Sequence, residues 1–300
     1  MTDAPEDLAS NVAASKQPAT KWGAERRLEF IDFRLRWDGR LNRSDVMSFF
    51  GVSVPQASLD IAKYLELAPE NATYDRSQRV YVASSGFRPL FPANEPSRYL
   101  SELLARTTGL LPPELSFIGW APPVAAAPLP SRTLSAEILL GLLSAIRSKT
   151  AVRVLYQSMS TPEPKERVIH PHAFGFDGYR WHVRGYCRKR ERYLDFVIAR
   201  ILKLSPMTEA GSDGADDAEW GRAVRLVLAP NPLLSLATQR ALELDYGMTE
   251  GVVVLECKQA LLFYTLKKLG LATHTAEAPL TQQIVLKNAS EIEQLLTPTD

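Results

Sequence analysis

Three hundred residues, 45% hydrophobic and 23% charged, are enough to build two or three compact domains with ordinary cores. The formal net charge is only +1, yet the stretch from Arg147 to Lys203 carries thirteen Lys or Arg against five Asp or Glu, which points to an anionic ligand. Cys187 and Cys257 stand too far apart for a disulfide framework or a CxxC site. With neither a signal peptide nor an apolar run near the roughly 18 residues that span a bilayer, a cytoplasmic protein without membrane association is expected.

Residues 1–20 are polar and lack a hydrophobic period, which predicts a disordered leader. A winged helix-turn-helix domain is expected over 21–92. Its first helix starts at Trp22 and stops at Asp38-Gly39. A second runs from Arg43 to Phe50 and is closed by Gly51, and a third is capped by Ser53 with Pro55 in its first turn. Two helices joined by a short Gly-containing turn are the helix-turn-helix signature. Gln56, Ser58 and Lys63 are its expected outward residues, and Arg43, Ser53 and Pro55 lie at the two helix starts. The following hairpin reads as a wing, with Arg76 and Arg79 placed to meet phosphates.

Residues 93–131 read as a bridging helix, with Tyr99, Leu100, Leu103 and Leu104 inward, followed by a Pro-rich connector. A helix over Ser131 to Lys149 buries Leu134, Ile138, Leu142 and Ile146. The period then drops to two in four segments, AVRVLYQS, KERVIHPHAFGF, GYRWHVRGYCR and RYLDFVIARILKL, which predicts a small curled β-sheet or barrel within 132–208. A polar linker at 209–221 precedes an α+β module at 222–300, small enough that a partner chain is expected to help cover its sheet.

In GYRWHVRGY, strand alternation puts Arg180, His182 and Arg184 on one face and Tyr179, Trp181 and Val183 on the other, so one face reads as cationic and one as core. Arg167, His170, Arg188 and Arg200 come from neighbouring segments and could join them, with hydroxyl contacts from Tyr156 and Ser158. Arginine forks suit phosphates.

These residues resemble a family of regulators with an N-terminal winged helix-turn-helix, a central WYL domain and a C-terminal WCX extension. The match rests on His170-Pro171, Trp181, Gly185 and the segment Phe196 to Ile201, and the domain order agrees along nearly the whole chain. More closely, it resembles the dimeric repressors that sit beside bacterial phage-defence operons such as BREX and CBASS. It implies an α+β multidomain chain with an Sm-like β-barrel WYL domain and a C-terminal dimerisation domain. It further implies a homodimer on a double-stranded inverted-repeat operator, released by a nucleotide or oligonucleotide effector held by Tyr156, Ser158, Arg167, His170, His182, Arg184 and Arg200. The name-giving triplet reads Trp181-His182-Val183 here, so His replaces Tyr in the pocket.

His170, His172 and His182 lack Cys or acidic companions in the sequence pattern, so no metal site is expected. No catalytic set or cofactor motif is present either, which argues against an enzyme. Two other readings stay open: an RNA or single-strand binding module, and a WYL-type activator. Arg188 to Arg192 reads equally as a solvated hairpin tip or a ligand contact, and Trp181 as core.

Overall fold

A computed structural model describes residues 17–92, 94–128, 130, 133–272 and 282–296, with side chains from residue 23 onward. They fall into two compact units divided after Pro128. The expected leader lies outside the described residues up to 16. From Gln17 the chain is already helical, which corrects the boundary drawn at residue 20.

In the first unit, α1 (Gln17–Asp38) sends Phe30, Ile31, Phe33 and Leu35 into the core. Gly39, at φ 71°, turns the chain into the two-residue strand β1 (Arg40–Leu41). Asn42 caps α2 (Arg43–Phe50) reciprocally: its side chain accepts from Asp45 N at 3.1 Å, and the Asp45 carboxylate accepts from Asn42 N at 2.7 Å. Gly51 closes α2 at φ 64°. Ser53 then caps α3 (Val54–Leu67), with Pro55 in the first turn, where a missing N–H costs nothing. The wing is β2 (Ala72–Asp75) and β3 (Val80–Ala83), and β1 adds to the far side of β3.

The stretch from 93 to 131 differs from the expected bridge and connector. Leu103 of α4 (Pro96–Thr107), Phe117 and Ile118 are buried in the winged-helix core, and the Phe117 ring meets Phe30 and Phe49 edge-on at 5.2 and 5.3 Å. Arg106 donates to Ile118 O at 2.9 Å, tying the returning chain to α4. Leu100 and Leu104, expected inward, are exposed.

In the second unit, α5 (Ala136–Ser148) is capped by Ser135 and buries Ile138, Leu142 and Ala145 against a five-stranded antiparallel sheet. Its strands are β4 (Thr150–Tyr156), β5 (Lys165–Phe176), β6 (Trp181–Cys187), β7 (Arg192–Val197) and β8 (Ile201–Ala210), in the order β7-β6-β5-β4-β8. The segment RYLDFVIARILKL is two strands, not one, because a 3-10 turn at Ile198–Arg200 breaks it. The sheet curls so far that Tyr156 of β4 accepts at its hydroxyl from Val197 N of β7, three strands away, at 3.2 Å.

The chain continues through α6 (Ala218–Gly221), β9 (Ala223–Pro230), α7 (Leu236–Asp245), β10 (Val253–Lys258), α8 (Leu262–Lys268), β11 (Ile284–Leu286) and α9 (Ala289–Glu293). The antiparallel sheet β10-β9-β11 buries Val224, Leu226 and Leu228 against Leu262 and Leu266 of α8. No described helix is long and apolar enough to cross a membrane.

Candidate nucleic-acid interface and sensor face

In the first unit, α3 buries Ala57, Asp60, Ile61 and Tyr64 and turns Pro55, Leu59, Ala62, Lys63 and Glu66 to solvent, one face at helical spacing. Of the expected outward residues, Lys63 is exposed and pairs with Glu66 at 3.3 Å. Gln56 and Ser58 are half-buried and locally engaged. Gln56 Nε2 donates to Asp60 Oδ1 at 3.1 Å, and Ser58 Oγ donates to Val54 O at 3.0 Å and accepts from Arg43 Nη1 at 3.4 Å. Asp60 in turn holds Arg27 of α1 at 2.6 Å, so Gln56 is oriented through the α1–α3 contact. Leu59 escaped the sequence reading because a leucine at helical spacing reads as core.

Behind α3 lies a buried carboxylate. Asp32 accepts from Tyr64 Oη at 2.7 Å, Asn94 Nδ2 at 2.8 Å and Leu90 N at 2.9 Å, fixing α1, α3 and the chain after the wing together. Burial, and then the neighbouring Asp32, push the Tyr64 hydroxyl well above its usual range, so it remains a donor. At the wing tip, Asp75 accepts from Ser77 N at 2.8 Å, Ser77 Oγ at 2.6 Å and Gln78 N at 3.1 Å, bonds that hold its carboxyl below the usual value. Exposed Arg76 and Arg79 project from the turn so formed, and Arg79 takes a left-handed φ of 57°.

In the second unit, the pairing of β5 with β6 shifts between Pro171 and Ala173, so His172 is an inserted residue that shares a face with Arg184. That face also carries His182 and Asp195, opposite Val183 and Phe196 on the core side. It is not an open cationic surface. Arg184, 4% exposed, donates to Asp217 at 2.8 and 3.0 Å, to Glu219 at 2.6 Å and to Asp195 at 3.4 Å. Arg184 is therefore corrected from ligand contact to buried ion-pair centre. The supposed linker at 209–221 supplies two of its three counterions, with Asp217 capping α6 through Trp220 N.

His172 Nε2 meets Asp217 Oδ2 at 2.9 Å, and His182 Nε2 meets Asp177 Oδ2 at 3.1 Å. Against the desolvation of burial, the N–H groups of Tyr179 and Arg180, the Arg180 guanidinium and His182 hold Asp177 down to about 2. It is thus a carboxylate at neutral pH, and His182 presents its N–H from Nε2. Burial lowers both imidazoles, overriding the adjacent carboxylates. His182 Nδ1 is buried without a partner, and its ring meets Tyr264 of α8 edge-on at 4.8 Å. Trp181, expected in the core, is 48% exposed and packs on Phe176 with ring centroids 4.9 Å apart.

The remaining sensor residues form two neighbourhoods. At the end of β4, the Arg200 carbonyl accepts from Gln157 N at 3.0 Å, between Tyr156 and Ser158, while Arg167 of β5 lies opposite Val154. Among the described residues, no carboxylate stands within ion-pair distance of Arg167 or Arg200. In the middle of β5, His170 faces Tyr186 across the ladder; Arg188, whose N–H donates to Val168 O at 3.1 Å beside Arg167, pairs with Glu209. Burial, then the charge of Arg188, lowers the His170 pKa. A cleft of about 590 Å³ along β7 is ringed by Glu191, Asp195, Asp216, Asp217 and Glu219 against Arg184 and Arg192, a poor match for an anion.

A doubly capped helix pair with a basic wing, a curled five-stranded sheet and a small α+β module define a multidomain winged-helix transcription regulator. Family models match in the same order: the BrxR transcriptional regulator winged helix-turn-helix domain at residues 23–105, the WYL domain at 137–206, and the BrxR transcriptional regulator C-terminal dimerization domain at 223–292. The DNA-binding transcriptional repressor CapW of Escherichia coli (strain KTE188) is 45% identical over 280 residues, covering 92% of this chain and 93% of that protein. CapW of Pseudomonas aeruginosa is 44% identical over 297 residues, 99% of each, and CapW of Stenotrophomonas maltophilia is 43% identical over 283 residues, 94% of this chain and 95% of that one. The chain belongs to this CapW family of DNA-binding transcriptional repressors.

Proposed function

We propose that this repressor binds an inverted-repeat operator as a homodimer, each α3 entering a major groove while Arg76 and Arg79 hold flanking phosphates, and that it controls a phage-defence operon. The observation that carries the DNA-binding geometry is the α3 face of Pro55, Leu59, Ala62 and Lys63, left open beside an exposed basic wing. Dimer formation is supported by the C-terminal dimerization match and by exposed Leu236 and Leu244 on α7 and Val254 and Leu255 on β10. Two-fold symmetry of the protein calls for a two-fold operator.

The effector is an anionic nucleotide or oligonucleotide held by Tyr156, Ser158, Arg167 and Arg200, whose two cations have no ion-pair partner among the described residues, with His170, His182 and Arg188 as further contacts. It releases DNA only if it prefers a dimer geometry that misplaces the recognition helices. Gel shifts on the native upstream promoter supply the test. Gln56→Ala, Ser58→Ala and Lys63→Ala are expected to weaken binding; unchanged affinity in all three rules out α3 as the reading helix.

A further inference from the structure

The outward face of α3 is unusual for a reading helix in what its polar side chains do. The Gln56 amide is held by Asp60, the Ser58 hydroxyl by the carbonyl of Val54, and the Lys63 ammonium by Glu66. No arginine or asparagine stands on the helix to fork onto guanine or adenine. What the face does offer is a strip of Pro55, Leu59 and Ala62, and Leu59 is 65% exposed although the opposite side of α3 is fully packed by Ala57, Ile61 and Tyr64. At 1.5 Å of rise per residue the strip runs roughly 10 Å, about three base-pair steps.

In the major groove, one base presents an apolar group: thymine, through its C5-methyl. We infer that Leu59 is a specificity-determining residue that recognises the 5-methyl group of thymine, so that the operator half-site is selected by methyl contacts as well as by polar ones. This rests on the reading that α3 enters the major groove. In free protein the Leu59 side chain is hydrated, and covering it against a thymine methyl gives favourable burial that cytosine and uracil cannot match.

The experiment uses the full-length protein and its own upstream promoter duplex, amplified once with thymidine triphosphate and once with deoxyuridine triphosphate. Uracil keeps the pairing and removes only the methyl group. Affinities are read by fluorescence anisotropy at one salt concentration for wild type and for Leu59→Ala, an exposed change that leaves the core of α3 intact. Wild type is expected to lose roughly four-fold for each methyl group Leu59 covers. Leu59→Ala is expected to bind the thymine duplex more weakly and to show a thymine-to-uracil ratio much nearer to one.

Effects of uracil on duplex shape act on both proteins and cancel when the two ratios are compared. If Leu59→Ala weakens binding equally on both duplexes and keeps the wild-type ratio, α3 stands as the reading helix and methyl recognition is overturned. If Leu59→Ala and Lys63→Ala both leave affinity for the thymine duplex unchanged, α3 does not read the operator and the inference falls with it.

Discussion

Arg184 of β6 and Asp217, the cap of α6, are joined by two hydrogen bonds of 2.8 and 3.0 Å with side chains only 4% and 1% exposed. The guanidinium fork is held in one plane by this bidentate pair, and Glu219 and Asp195 take two of its three remaining donors. It ties the curled sheet to the segment that leads into the C-terminal module. Arg184→Ala leaves three carboxylates around an empty site, and a broken buried ion pair costs about 3–5 kcal/mol. Asp217→Asn, which keeps an oxygen for Trp220 N, is expected to cost less. Urea denaturation of the full chain measures both, and a loss below about 1 kcal/mol for Arg184→Ala counts against a structural role for the network.

Local signals and tertiary ones divide sharply in this chain. Asn42, Gly51, Ser53 and Pro55 act within a few residues of themselves, so α2, the turn and α3 could be read from their order alone. The strand alternation of β5 is equally local. The break between β7 and β8 carries no Gly or Pro, and only Arg200 interrupts the apolar residues around it, so no turn residue marks it. Arg184 shows the larger gap: a charge count finds the cation but not the carboxylates folded back from 33 and 35 residues later. Asp217 and Glu219 sit in a stretch with the composition of a linker. Leu59 failed for the opposite reason, since spacing locates a helix face without saying which face is covered.

Asp195 gives this unit an uncommon pH response. Burial pushes its carboxyl up to about 6, beyond what the Arg184 charge offsets. A folded state that holds the proton more tightly than the unfolded chain gains stability at low pH and loses it as pH rises from about 4 to about 6. Asp195→Asn is expected to remove that component, so its melting temperature relative to wild type should rise across this window and level off above it. A difference that stays flat from pH 4 to 7 contradicts the assignment.

Asp177 and His182 respond with the opposite sign. The depressed Asp177 stabilises the fold fully above about pH 4, and that contribution is lost as pH falls towards about 2. His182 binds its proton less readily when folded, so its neutral form supports the fold above about 6.5 and acid draws it towards the unfolded state. His182→Gln is expected to reduce the acid sensitivity of the second unit just below pH 6.5, and Asp177→Asn to reduce it below pH 4. Circular dichroism melts at half-unit pH intervals distinguish the two.

Asp32 is the matching test for the first unit. Replacing it with Ala leaves Tyr64 Oη, Asn94 Nδ2 and Leu90 N without their acceptor in a buried site. At about 1–3 kcal/mol for each orphaned buried group, lessened by local rearrangement, the expected loss is about 3–5 kcal/mol. Asp32→Asn keeps one acceptor oxygen and should lose less. Operator affinity of whatever remains folded should hardly change, because Asp32 lies behind α3 and does not reach its solvent face.

Arg79 allows phosphate contact to be separated from wing stability. Its φ of 57° is strained for a residue with a Cβ, and glycine relieves that strain while giving the unfolded chain more freedom. These effects oppose one another, so Arg79→Gly should leave stability within about 1 kcal/mol of wild type. It also deletes one cation from the wing tip. If Arg79 neutralises a DNA phosphate, the slope of log affinity against log salt should flatten by about one unit per protomer bound, with little change in preference among operator variants. Anisotropy titrations across a salt series read the slope directly. An unchanged slope with intact folding places Arg79 off the DNA and leaves the phosphate contact to Arg76.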